Sequence, residues 1–229
     1  MLPRAVRGVV FDMDGLLVDT ETVFRDAMME VTARHGRDLP LSVFLRMVGL
    51  PREDSRAVAM THFGEGFDYE PWIAEVTEAA HARLEVGVAV KTGVTELLDD
   101  LEAAGIPCAV ATSSGHTSVE LQLGPNGLLR RFQAVVAAGD YVRGKPAPDP
   151  FLEAARRLGV DPVDCLALED SHNGVRAAHA AGMMTVMVPD LLEATDEMRD
   201  LCITIARTLH DVRDMIVWSE SVRPIADFR

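Results

Sequence analysis

Five short apolar runs, each ending in polar residues and mostly separated by amphipathic stretches, constrain this chain more than any other feature. The runs are "GVVFD", "IPCAVATSS", "FQAVVAAGD", "CLALED" and "MMTVMVP". Near-continuous apolar runs of this length suit strands buried on both faces, as in an open parallel sheet covered by helices. From about residue 92 onward the intervening segments have helical period. In "TGVTELLDDLEAAG" the residues Val94, Leu97, Leu98 and Leu101 recur at i, i+3, i+4 and i+7, and Gly105 supplies a stop. In "DPFLEAARRLG" Asp149 is expected as N-cap, Pro150 at the first helical position and Gly159 at the end. "GVRAAHAAG" is the next helix. The expected fold class is α/β, a doubly wound parallel sheet.

Residues 19 to 86 break this rhythm. They show helical periodicity in "ETVFRDAMMEVTARHG" and "REDSRAVAMTHFG" and no strand pattern. The simplest organisation is a core domain of residues 1–18 and 87–229, interrupted by a helical cap of residues 19–86 whose flanks act as hinges. Residues 190–229 add peripheral elements around "LCITIARTL".

Composition narrows the function classes. With 229 residues, 48% of them hydrophobic, the chain can bury a substantial core. A formal net charge of −14 works against binding a phosphate backbone, which needs a basic face. The apolar run after Arg4 and Arg7 stops at Asp12, too short for a signal sequence or a membrane span. Cys108, Cys165 and Cys202 are odd in number and lack CxxC spacing, which suits reduced buried thiols. The expectation is a cytoplasmic protein, a monomer or small homo-oligomer, that binds neither nucleic acid nor membrane.

In an open parallel sheet the loops after the strands meet at the carboxyl edge, where ligands bind. Asp12 and Asp14 close the first strand, and Thr112, Ser113 and Ser114 the second; Lys145 follows the third, and Glu169 with Asp170 closes the fourth. Carboxylates crowded at one buried edge cost several kcal/mol each unless a cation answers them. Oxygen ligands with no histidine or thiolate point to Mg²⁺, which leaves positions for water and a substrate phosphate. Lys145 and the Thr112 hydroxyl then read as phosphate-binding groups, although Thr112 suits a helix cap equally well. Asp12 is placed to attack phosphorus, and Asp14 to move the proton. Gly15 permits the sharp turn between them and the chain that follows.

These motifs resemble those of the haloacid dehalogenase superfamily, in the branch with a helical cap after the first strand. "FDMDGLLVDTE", "VATSS", "GKPAPDPF" and "LEDSHNGVRAAHAAGM" are similar to its four motifs, in order, across residues 8 to 190. The resemblance implies Asp12 as nucleophile, Asp14 as acid/base and donor of its main-chain carbonyl to the metal, and Thr112 and Lys145 holding the phosphoryl group. It implies Asp170 as a metal ligand and Glu169 as a ligand directly or through water. Ser113 and Ser114 fall in the second motif as substrate contacts. "VGLPREDS" resembles the substrate loop of a phosphosugar mutase, with Gly49 and Arg52 matching and Val48 where that enzyme has lysine; the mutase's cap histidine has no counterpart in "DTETVFRD". These differences favour a phosphatase over a mutase, and the resemblance implies a small phosphorylated metabolite as substrate, a sugar phosphate, phosphoglycolate or a nucleotide monophosphate. A non-catalytic binder of a phosphorylated ligand is the third reading, and it would be expected to lack a nucleophile, acid/base or metal ligand.

Overall fold

The computed structural model describes residues 2–48, 50 and 52–217. The chain divides into two compact units, Met1–Val18 with Val90–Arg229, and Asp19–Ala89.

The first unit is built on a six-stranded sheet. Its strands are β1 (Gly8–Phe11), β2 (Cys108–Gly115), β3 (Ala134–Ala138), β4 (Cys165–Glu169), β5 (Met184–Met187) and β6 (Thr204–Ile205). They lie in the order β3-β2-β1-β4-β5-β6, every pairing parallel. All four residues of β1 are buried, because β2 and β4 flank it and helices cover both faces. The order reverses at β1, so the chain winds outward first to one side and then to the other. Right-handed crossovers then place the helices that follow β1 and β2, α5 (Val94–Ala103) and α6 (His116–Leu123), on one face. The helices after β3 and β4, α7 (Asp149–Leu158) and α8 (His172–Ala180), fall on the other. There Phe151, Ala154 and Ala155 of α7 and Ala177 and Ala178 of α8 pack on Val10, Ala109, Ala111 and Ala167 of the sheet. The unit closes with α9 (Asp196–Leu201) and α10 (Leu209–Val217), the latter packed on α5.

Two differences from the sequence reading have simple causes. Beyond the five expected strands there is β6, whose two residues pair beside Val186 and Met187; so short a run carries no period of its own. Asp149 is the first residue of α7, and Pro148 stands at the cap position; the Asp149 carboxylate accepts instead from the Arg143 backbone and guanidinium. The Asp196–Leu201 helix starts from Thr195, whose hydroxyl accepts from Met198 N at 3.4 Å.

The second unit is helical: α1 (Thr20–Arg34), α2 (Leu41–Leu45), α3 (Arg52–Phe63) and α4 (Tyr69–Val86). In α4 the residues Tyr69, Trp72, Val76, Ala80 and Leu84 are the buried ones, at helical spacing. The helix packs along α1, and Trp72 at its start is 1% exposed, donating from Nε1 to Thr32 Oγ1 at 3.1 Å. Phe63, Phe67 and Tyr69 pack around the same indole. Phe44 and Met47 are buried here.

Cys108 and Cys165 are buried, Cys202 is partly buried, and all three are free. Burial pushes the first two thiols up to about 12 and the third to about 11, which leaves little thiolate at neutral pH. Among the described residues no helix is long and apolar enough to cross a membrane.

Candidate active site

The carboxyl ends of β1, β2 and β4 and the loop after β3 assemble one polar cluster. Asp12 leaves β1 with its backbone N–H donating to Leu168 O at 2.9 Å, which ties it to the end of β4. Its carboxylate is nearly buried and accepts from Lys145 Nζ at 2.5 Å. Lys145 also donates to Glu169 Oε1 at 2.5 Å and lies 5.1 Å from the centre of the Phe151 ring. One ammonium therefore bridges two carboxylates from different strands.

Burial pushes the Asp12 carboxyl up to about 8; Lys145 pulls it down, while Glu169 and Asp14 add to the rise. Burial works to lower the Lys145 ammonium, but Asp12 and Glu169 outweigh it and hold Lys145 above its ordinary value. The lysine is a fixed positive charge at any physiological pH.

Glu169 is fully buried and anchored from its other oxygen. Oε2 accepts from Asp170 N at 3.1 Å and from Ser171 N and Ser171 Oγ at 3.0 Å each. Ser171 also caps α8 by accepting from Gly174 N at 3.1 Å. A Cβ added at Gly174 would fall inside the Glu169 carboxylate, so the fourth motif needs glycine there. Gly174→Ala is accordingly expected to displace Glu169 from its donors, to cost about 1–3 kcal/mol of stability, and to lower kcat/KM about 10- to 100-fold. Urea unfolding beside a turnover assay checks this, and wild-type values in both would refute the cradle.

Asp14 stands beyond the strand end in a tight turn. Gly15 has φ of +81° and donates to Val18 O at 3.0 Å. Asp14 Oδ2 accepts from Ser114 Oγ at 2.8 Å and from Thr112 Oγ1 at 3.4 Å. Thr112 is fully buried, its hydroxyl accepts from Ser114 N at 3.0 Å, and its carbonyl accepts from the Tyr141 hydroxyl at 3.1 Å. It does not cap α6, where Gly115 holds the cap position. Ser113 is exposed and makes none of these bonds.

Of the residues singled out from sequence, Asp12, Lys145, Glu169 and Asp170 meet in one group, and Asp14, Thr112 and Ser114 in an adjoining one. Gly49 lies outside the described residues. Arg52 belongs to the helical unit, where it donates to Glu70 at 2.6 Å beside a groove of about 680 Å³ that Thr77, Glu78 and His81 also line. The two histidines that follow motif positions are engaged elsewhere: His116 with Asp140, and His172 with Glu193 O.

Asp12, Glu169 and Asp170, all buried, can each bring a carboxylate oxygen within 4.8 Å of the others. Oxygen-only donors with a surplus of negative charge over the single Lys145 ammonium fit a hard divalent cation. Lys91, Asp190, Tyr141 and Gly174 escaped the sequence reading. Asp190 had a usable signal, since it follows β5 at the same sheet edge.

Comparison with known proteins identifies the family. The family model described as haloacid dehalogenase-like hydrolase matches residues 9–188. The chain belongs to that family. It is a hydrolase built on the same α/β core, and the matched span covers all four motifs. A probable pseudouridine-5'-phosphatase of Drosophila melanogaster is 39% identical over 193 residues, covering 82% of this chain and 83% of that protein. A fructose-1-phosphate phosphatase of Escherichia coli is 35% identical, covering 79% and 95%. Among solved structures, a haloacid dehalogenase family hydrolase from Deinococcus radiodurans with bound phosphate and sodium superposes with a TM-score of 0.81 at 25% identity, covering 96% and 99%.

Proposed function

We propose that this hydrolase is a Mg²⁺-dependent phosphatase of small phosphomonoesters, in the class of sugar phosphates, phosphoglycolate and nucleotide monophosphates. The observation that carries the reading is the Lys145 bridge between Asp12 and Glu169, which aims a nucleophile and a fixed positive charge at one point on the sheet edge. Similarity to phosphatases of a nucleotide and of a sugar phosphate supports the same chemistry.

The Asp12 carboxylate attacks phosphorus, forming an Oδ–P bond while the P–O bond to the alcohol breaks. Asp14 gives its proton to the leaving oxygen. Ser114 and Thr112 hold Oδ2 of Asp14, which fixes the direction in which the proton is delivered. In the second half-reaction Asp14 takes a proton from water as that water attacks phosphorus, and the bond to Asp12 breaks to return the free carboxylate and release phosphate. Lys145 neutralises charge on the phosphoryl oxygens throughout. Asp12, Asp170 and the Asp14 main-chain carbonyl would hold Mg²⁺, which when bound shields the approach of one anion to another. Glu169 has both oxygens engaged by Lys145, Asp170 and Ser171, so it serves mainly as the anchor of Lys145 and would add its negative charge to the metal site. The helical unit is the cap, and Arg52 is its candidate for a second anionic group on the substrate.

Phosphate release from a panel of sugar phosphates, phosphoglycolate and nucleotide monophosphates tests the reading. A chelator is expected to reduce release at least about 100-fold, and Mg²⁺ added to metal-free protein is expected to raise Tm by mass action. Release that persists undiminished with the metal removed would sink the mechanism, and silence across the panel would redirect the search to phosphoryl transfer between sugar hydroxyls.

A further inference from the structure

A second ion pair lies beside the metal carboxylates and has no part in the mechanism above. Lys91 Nζ donates to Asp190 Oδ1 at 2.5 Å, and both side chains are largely buried, 27% and 16% exposed. Lys91 is itself fixed, its backbone N–H donating to Leu17 O at 3.0 Å. With Oδ1 taken, Asp190 Oδ2 is buried and accepts no hydrogen bond among the described residues.

Its surroundings show where that oxygen is aimed. Gly15, in the turn after Asp14, has a bare Cα face; a Cβ built there would collide with Asp170 Oδ2 and sit 3.5 Å from Asp190 Oδ2. The carboxylates of Asp170 and Asp190 thus converge on the same side of Gly15. Two buried anionic oxygens turned toward one place repel each other, and a buried acceptor without a donor is destabilising. The ion pair with Lys91 explains Oδ1 and leaves Oδ2 unexplained. A hydrated divalent cation held by Asp170 answers both, since its water is a strong donor.

Resting on the Mg²⁺ reading of the site, we infer that Asp190 is a positioning residue of the metal centre, pinned by Lys91 so that Oδ2 is the hydrogen-bond acceptor for the hydrated cation that Asp170 holds. Outer partners of this kind orient the ligating carboxylate and typically change metal affinity about 10- to 100-fold when removed. Gly15 then has a second reason to lack a side chain, because a Cβ would occupy the space between the two carboxylates.

Calorimetric titration of MgCl₂ into the metal-free full chain, for wild type, Asp190→Asn and Asp190→Ala, tests the inference, with the metal-free Tm of each recorded alongside. The expected result is a Mg²⁺ Kd weakened about 10-fold or more in both variants, whatever the change in metal-free Tm. A plain structural ion pair predicts the reverse pattern, a lowered metal-free Tm with Kd unchanged, and that result would overturn the inference while leaving the phosphatase reading intact. A wild type that binds no Mg²⁺ overturns the metal reading itself, and this inference with it. Should Asp190→Ala fail to fold, the isosteric Asp190→Asn decides.

Discussion

Asp12→Asn is expected to reduce phosphate release by about 10⁴-fold or more while the protein stays folded. The amide keeps the shape of the carboxylate but offers phosphorus no anionic oxygen, so the first bond of the reaction does not form. Stability should change little, for two opposing reasons. The variant loses the charged partner of Lys145 at Asp12, yet Glu169 remains 2.5 Å from that ammonium. It also removes a carboxyl that burial already pushes up to about 8, so the desolvation cost of ionising that position disappears. The metal-free Tm is therefore expected within about 4 °C of wild type. Thermal unfolding and phosphate release, measured on the same preparation, separate the two effects. Turnover within about tenfold of wild type would remove Asp12 from the nucleophile's role.

Lys145→Met should be the most damaging change to stability at the site. The thioether fills the stem's path over Phe151, but Asp12 and Glu169 are left buried without their shared cation. Breaking a buried pair from one side typically costs about 3–5 kcal/mol, and loss of the phosphoryl-binding charge should lower kcat about 10²- to 10³-fold. The damage should depend on pH in a defined direction. Asp12 already has a folded-state value raised well above its unfolded one, so between about 4 and about 8 the native protein binds more protons than the unfolded chain. Stability that is fully present below the unfolded value is then lost as pH rises through the folded value. Lys145 is also raised, but its contribution is complete below the ordinary lysine range and does not vary in this window. Without Lys145 the influences left on Asp12, burial and the charges of Glu169 and Asp14, all push upward. Metal-free Lys145→Met should accordingly lose more stability than wild type on going from pH 5 to pH 8, and saturating Mg²⁺ should flatten the wild-type dependence. Parallel urea curves at the two pH values, with chelator present, measure this; equal losses in both proteins would contradict the assignment of Lys145 as the compensating charge.

Much of the site was legible because a strand buried on both faces admits polar residues only where it ends. That rule located Asp12, Thr112, Glu169 and Asp170 without a coordinate, and the Gly/Pro-rich turn after β3 located Lys145. Applied to β5 as well, it would have found Asp190. It could not separate roles within a loop. Ser113 and Ser114 are neighbours of one type, yet Ser114 donates to Asp14 at 2.8 Å while Ser113 is exposed. Thr112 read equally as a helix cap, and only the packed loop shows its hydroxyl accepting from Ser114 N and its carbonyl held by Tyr141.

The sequence by itself determined the α/β class, the places of five strands along the chain, the helical character of the segment after β1 and the chemical identity of the residues at the sheet's carboxyl edge. Apolar period and turn chemistry are local properties, and they survive in one dimension. Tertiary structure alone decided the strand order about β1, the addition of β6, the bridging of Asp12 and Glu169 by one lysine, the fit of Gly174 against Glu169 and the pairing of Lys91 with Asp190. Each of these is a meeting of groups from separate elements; Lys91 and Asp190 stand 99 positions apart. Their energies come from burial and from distances of a few ångströms, which exist only once the sheet has brought the ends of its strands together.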